Sequence, residues 1–155
     1  MILYLDASAL VKRYVAEPGT VEVNEAIAAA EIVGTTIVSR AEVVAALAKS
    51  VRMRLLSLAD ASASLRAFRN EWLDLVRVQT TEIVVTRADT LAWEYHLRGY
   101  DAVQLATASL WQEAMAAPVT LATFDQQLWT AAKQIGLTPY PYNLAMWLET
   151  WKKAK

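Results

Sequence analysis

The sequence predicts an α/β protein, a mostly parallel sheet of about five strands lying between two layers of helices. Three observations carry that expectation. Short apolar runs alternate with longer segments of helical periodicity, the pattern of repeated βα units. The runs Met1–Leu5 and Val119–Ala122 stop abruptly at a polar stretch that opens the next helix. The chain has 155 residues, 55% of them hydrophobic and 20% charged, enough for one domain across residues 1–155 with a sizeable core.

The elements follow in order. Ile2 to Leu5 reads as a buried parallel strand ended by Asp6, and Ser8 is placed to cap a helix through Val15. Glu17-Pro18-Gly19-Thr20 is a turn, with Thr20 capping a helix through Ala30. Glu31 to Thr36 is rich in β-branched residues and predicts a second strand. Ser39 opens a helix toward Leu55, and Ser39 with Glu42 has the spacing of a capping box. Asp60 to Leu75 is helical, with Leu65, Phe68, Trp72 and Leu75 on one face, a stripe suited to the core or to a dimer contact. Val76 to Gln79 is a short strand. Thr81 caps a helix carrying Val84, Ala88, Leu91, Ala92 and Tyr95 on one side, which Gly99 is expected to stop. Asp101 falls in the first turn of the next helix, whose inner face holds the small residues Ala102, Ala106 and Ser109 around Leu105. The strand Val119–Ala122 runs into Thr123-Phe124-Asp125. A helix from Gln126 to Ile135 follows and is closed by Gly136. Leu137 to Tyr142, with two prolines, suits a sheet edge, and Asn143 to Trp151 reads as a terminal helix before a solvated tail of Lys152, Lys153 and Lys155.

Composition narrows the chemistry. A formal net charge of −1 means that any nucleic-acid partner must be held by a local basic patch or through a metal ion. There is no cysteine and one histidine, His96, which excludes disulfides, thiolate or histidine-rich metal sites and a cysteine nucleophile. The first apolar run lacks a basic leader and meets Asp6 early, and no run has membrane-spanning length, so the expectation is a soluble, cytoplasmic protein without a membrane partner.

What remains is acidic. In a parallel sheet every strand's carboxyl end lies on one edge. Asp6 and Asp125 follow strands, while Glu42 and Asp101 lie in first turns of helices that begin at that edge. Each has an ordinary structural role available, as a turn, cap or helix-dipole residue. Together they have an electrostatic problem. Two like charges about 5 Å apart at an effective dielectric of about 20 repel by roughly 3 kcal/mol. A divalent cation resolves it, and all-oxygen ligation selects Mg²⁺ or Mn²⁺ over zinc or copper. Such an ion activates water and stabilises a phosphodiester undergoing displacement.

The stretches Asp6–Tyr14, Ser39–Glu42, Arg98–Ala106 and Thr123–Asp125 resemble the four acidic motifs of PIN-domain ribonucleases, nearest the VapC-type toxins of toxin–antitoxin pairs. The resemblance spans nearly the whole chain. It implies a PIN fold with a three-layer α/β/α architecture, and Mg²⁺- or Mn²⁺-dependent cleavage of RNA (tRNA, rRNA or mRNA). Asp6, Glu42, Asp101 and Asp125 would hold the metal, with Thr123 as a hydroxyl beside the site. It also implies a homodimer and a cognate antitoxin. Gln104, where many relatives carry a histidine, has no assignable role in the chemistry. Lys12, Arg13, Arg40 and Arg98 flank three of the motifs and are candidates for RNA phosphate contacts, while Lys49, Arg52 and Arg54 read as a solvated face. The alternatives are a PIN-like module that binds RNA or protein without cutting, and a haloacid-dehalogenase-type phosphatase or receiver domain. The phosphatase wants a second Asp two residues on, where this chain has Ser8, and the receiver wants paired acids at the first strand, where it has only Asp6.

Overall fold

The structure, a computed structural model, describes residues 1–153. Five strands, β1 (Ile2–Leu5), β2 (Ile32–Thr36), β3 (Val76–Val78), β4 (Val119–Ala122) and β5 (Thr138–Tyr140), form one sheet in the order β3-β2-β1-β4-β5, every pair parallel. The helices are α1 (Ala7–Leu10), α2 (Thr20–Ala29), α3 (Ser39–Arg52), α4 (Leu58–Glu71), α5 (Glu82–Tyr95), α6 (Gly99–Met115), α7 (Gln126–Gln134) and α8 (Leu144–Lys153). Among the described residues no helix is long and apolar enough to cross a membrane.

Side-chain alternation along β1 divides the core. Leu3 and Leu5 pack with Leu10, Val23, Val43, Leu47, Phe68 and Trp72 from the first half of the chain. Tyr4 points to the other face, among Val84, Leu91, Leu105, Trp111 and Leu128. Full burial of each such side chain stabilises the fold by about 1.5–3 kcal/mol. The expected three-layer α/β/α architecture is therefore observed, with α1 to α4 contributing to one layer and α5 to α7 to the other. The stripe of Phe68 and Trp72 is core, at 0% and 5% exposure.

Strand order grows from β1 to β2 to β3 on one side and from β4 to β5 on the other. The crevice beyond β1 and β4 is thus the topological switch point, where open α/β sheets place their ligands. Close packing at this centre has one strict requirement. A Cβ on Gly34 in β2 would lie 2.6 Å from the Trp111 ring of α6, so only glycine lets the indole cover the strand.

Several local expectations are corrected. Asp6, not Ser8, caps α1, accepting from the Ala9 N–H, and the helix tightens after one turn into a 3-10 segment, Val11–Arg13. Gly19 rather than Thr20 is the N-cap of α2; the Thr20 hydroxyl instead accepts from the Glu17 N–H and donates to the Val15 carbonyl. Ser39 and Glu42 form no capping box. Val38 is the N-cap of α3, and Ser39 is fully buried within a polar network. His96, not Gly99, ends α5 by taking the left-handed conformation at φ 53°, while Gly99 starts α6. Ser57, immediately before the helix, caps α4 by accepting from the Asp60 N–H. The expected cap Thr81 and closing Gly136, at φ 86°, are found as read. Of the basic tail, Lys155 lies outside the described residues.

Candidate active site

Two of the acids are delivered by strand ends. β1 and β4 pair in register, so Asp6 and the Thr123–Asp125 segment emerge side by side, and the Asp6 N–H donates to the Ala122 carbonyl at 3.1 Å. Each of these acids caps a helix with one oxygen. Asp6 Oδ1 accepts from the Ala9 N–H at 2.8 Å, and Asp125 Oδ1 accepts from the Leu128 N–H at 2.9 Å. The structural and the chemical roles therefore coexist, one for each oxygen. Asp6 Oδ2 accepts from the Thr123 hydroxyl at 2.7 Å, and the Ser8 hydroxyl lies 2.8 and 2.9 Å from the two carboxylate oxygens. Thr123 in turn accepts from the Asp125 N–H at 3.1 Å, and Ser8 from the Phe124 N–H at 3.0 Å. The two hydroxyls thus tie the β1 and β4 loops together around Asp6.

The other two acids come from helix starts. Asp101 lies in the first turn of α6 and Glu42 in the first turn of α3. Arg98, just before α6, reaches across the mouth. Its Nε donates to Asp101 Oδ2 at 2.9 Å and its Nη2 to Asp125 Oδ2 at 3.2 Å. Glu42 Oε2 lies 3.4 Å from the Gln104 side-chain nitrogen, whereas Glu42 Oε1 is buried with no hydrogen-bond partner.

Electrostatics mark three of these acids, Asp6, Glu42 and Asp101. Asp6 is 3% exposed, and burial pushes its carboxyl up to about 6, against the opposing pull of Thr123, Ala9 and Ser8. Burial likewise pushes Glu42 up to about 7, with the Gln104 amide opposing and the negative charges of Asp6 and Asp101 adding to the rise. Asp101 is raised by its own partial burial and by Asp125, with Arg98 pulling the other way. The charges of three of these acids therefore act on one another, as their place at one sheet edge requires.

Of the candidate RNA contacts, Arg98 alone touches the acids. Lys12 is buried, with its ammonium 2.8 Å from Glu17 and 4.6 Å from the Phe124 ring centre. Arg13 binds Glu71 and Asn24. Arg40 is exposed, with its guanidinium 5.5 Å from the Trp72 ring. Sequence reasoning missed two participants, Ser8 as a partner of Asp6 and Gln104 as a partner of Glu42. The signal for Gln104 was its spacing, three residues after Asp101 and so on the same face of α6.

The donor set suits a hard cation. It consists of carboxylate oxygens without sulfur or imidazole, and the buried, unpartnered Glu42 Oε1 is the kind of atom that a metal ion satisfies. Among the described residues no three acids are already gathered into a metal cage, and the Arg98 guanidinium spans two of them. The arrangement can neutralise a cation at the switch point and present it to a ligand entering over Arg98.

Comparison with known proteins identifies the family. The chain is 31% identical over 144 residues to Ribonuclease VapC45 of Mycobacterium tuberculosis, covering 92% of this chain and 97% of that one. Its fold is similar to a toxin–antitoxin complex from Klebsiella pneumoniae, with TM-score 0.59, 18% identity, and coverage of 79% of this chain and 86% of that one. It is also similar to VapBC2 from Rickettsia felis bound to a promoter DNA fragment, with TM-score 0.60, 18% identity, and coverage of 90% and 97%. The PIN domain family model matches residues 3–134, which include all four acids, and the chain belongs to the PIN-domain family.

Proposed function

We propose that this protein is a metal-dependent endoribonuclease, the toxin of a toxin–antitoxin pair, with Asp6, Glu42, Asp101 and Asp125 holding Mg²⁺ or Mn²⁺. The observation that carries the proposal is the set of four acids at the switch point around the buried Asp6, with Glu42 Oε1 left unpartnered and Asp6 and Glu42 both raised. The ribonuclease name of the 31% identical relative supports the reaction, and the toxin–antitoxin complex among the structural neighbours supports an antitoxin partner.

When bound, the metal supplies positive charge to the phosphate and a water activated near neutral pH. The chain's own groups do the rest. Thr123 and Ser8 hold Asp6 in one orientation, and the capping bonds to Ala9 and Leu128 fix Asp6 and Asp125 to rigid helix starts. Arg98, 75% exposed at its side chain, leaves the carboxylates and turns its guanidinium to a phosphate oxygen. Two exposed apolar surfaces support protein partners such as the antitoxin and a second copy. One carries Val85, Trp93 and Tyr100 on α5 and α6, and the other carries Met53, Leu55 and Leu58 between α3 and α4.

Because water rather than the ribose 2′-hydroxyl is the nucleophile, the RNA products carry no 2′,3′-cyclic phosphate. End-group analysis of fragments from a mixed tRNA and rRNA pool tests this. Cyclic-phosphate ends would overturn the water mechanism, and no cleavage with either metal would favour the binding-module alternative.

A further inference from the structure

Gln104 is a buried polar residue for which the reaction outlined above has no use. It is 1% exposed, on α6 one turn beyond Asp101. Its side chain makes three polar contacts. The Tyr4 hydroxyl donates to Oε1 at 2.7 Å, and Nε2 donates to Ser39 Oγ at 2.9 Å and faces Glu42 Oε2 at 3.4 Å. Tyr4 and Ser39 are both fully buried, and Ser39 Oγ is 2.7 Å from the Thr35 hydroxyl, which donates to the Leu5 carbonyl. The amide joins β1, α3 and α6, and Ser39 extends the network to Thr35 in β2.

We propose that Gln104 is a positioning residue for Glu42: held by Tyr4 and Ser39, its amide engages Glu42 Oε2 and leaves Oε1 free for the divalent cation. The inference rests on the metal-dependent reading of the site and deepens it. Glu42 as a carboxylate only accepts, so the amide must turn its NH₂ toward it, and Tyr4 then satisfies the opposite end by donating. An orientation specified at both ends of a buried amide makes a rigid support. Its neutrality matters equally. Arg98 holds Asp101 and Asp125 by cancelling their charge, whereas an amide orients Glu42 and preserves the negative charge that attracts a cation. Partners of this kind, one step behind the metal, typically change metal affinity by 10–100-fold when removed.

Mn²⁺ titration of the full-length protein, followed by calorimetry and by the electron paramagnetic resonance of free Mn²⁺, tests the proposal on the wild type, Gln104→Leu, Gln104→His and Tyr4→Phe. Near-ultraviolet circular dichroism confirms that each variant is folded. Gln104→Leu is expected to weaken Mn²⁺ binding about tenfold. Gln104→His retains an uncharged N–H donor and is expected to recover most of the affinity. Tyr4→Phe leaves the donor but frees its orientation, with an expected loss of about threefold, and it carries the test if Gln104→Leu fails to fold. In a Glu42→Gln background the same changes should add nothing to the loss. Folded Gln104→Leu or Tyr4→Phe protein with wild-type affinity overturns the positioning role. So does an undiminished loss in the Glu42→Gln background, which would mark Gln104 as merely structural. A wild type that binds no Mn²⁺ overturns the metal-dependent function itself and this inference with it, an outcome distinct from the other two.

Discussion

Replacing Asp6 by asparagine should make the metal-free protein more stable at neutral pH while abolishing its chemistry. Burial raises the Asp6 carboxyl from 3.8 to about 6, so the folded protein binds that proton more tightly than the unfolded chain. Between those two values the folded state carries the extra proton, and stability falls as pH rises through the window. Above pH 6 the whole cost is present, about 3 kcal/mol for a shift of about two pH units. Asparagine removes the charge but keeps one carbonyl oxygen for the Ala9 cap, and the Ser8 and Thr123 hydroxyls can rotate to accept from its NH₂. Weaker neutral hydrogen bonds take back about 1–2 kcal/mol, leaving a net gain of about 1–2 kcal/mol. For a chain of this size that is about 3–6 °C in Tm. Thermal denaturation in EDTA at pH 7 and pH 4 measures it. At pH 4 the wild-type carboxyl is largely protonated and the advantage should disappear. A variant less stable than wild type at pH 7, or an advantage of equal size at both pH values, would refute the view that desolvated charge at Asp6 strains the metal-free fold.

Three further outcomes follow from the same geometry. Asp101→Asn should lower RNA cleavage by at least about 100-fold, measured on a labelled substrate with Mn²⁺, with little change in Tm, because its carboxylate is half-buried and paired mainly with an exposed arginine. Arg98→Ala should tighten Mn²⁺ binding by calorimetry, since the guanidinium no longer competes for Asp101 and Asp125, and should raise the KM for RNA by removing a phosphate contact. Gly34→Ala should destabilise the protein by about 1–3 kcal/mol in urea denaturation, because its methyl group would stand 2.6 Å from the Trp111 ring.

Most of the architecture was legible because hydrophobic period and strand length are local properties. The five strands, the helical face of Phe68 and Trp72, and the glycine stop at Gly136 are all written in short windows. One error fell where a side chain had a distant partner to prefer over a local one. Ser39 has the spacing of a capping residue, but Thr35 and Gln104 offer it a buried network, and Val38 takes the N-cap position instead. His96 took the left-handed position assigned to Gly99. The meeting of Asp6 with Thr123, 117 residues apart, was readable from sheet topology, since both follow strands that can be neighbours. The tie between Tyr4 and Gln104 was not, because a tyrosine on a buried strand gives no sign of where its hydroxyl ends.

Cleavage of a mixed RNA pool by wild type and Asp101→Asn, each with Mn²⁺, with EDTA, and with Mn²⁺ restored after EDTA, tests the four-carboxylate account most directly. The account predicts cuts by wild type that vanish in EDTA, return with Mn²⁺, and are absent from the variant throughout. Cleavage that persists in EDTA, or that Asp101→Asn performs as well as wild type, would contradict it.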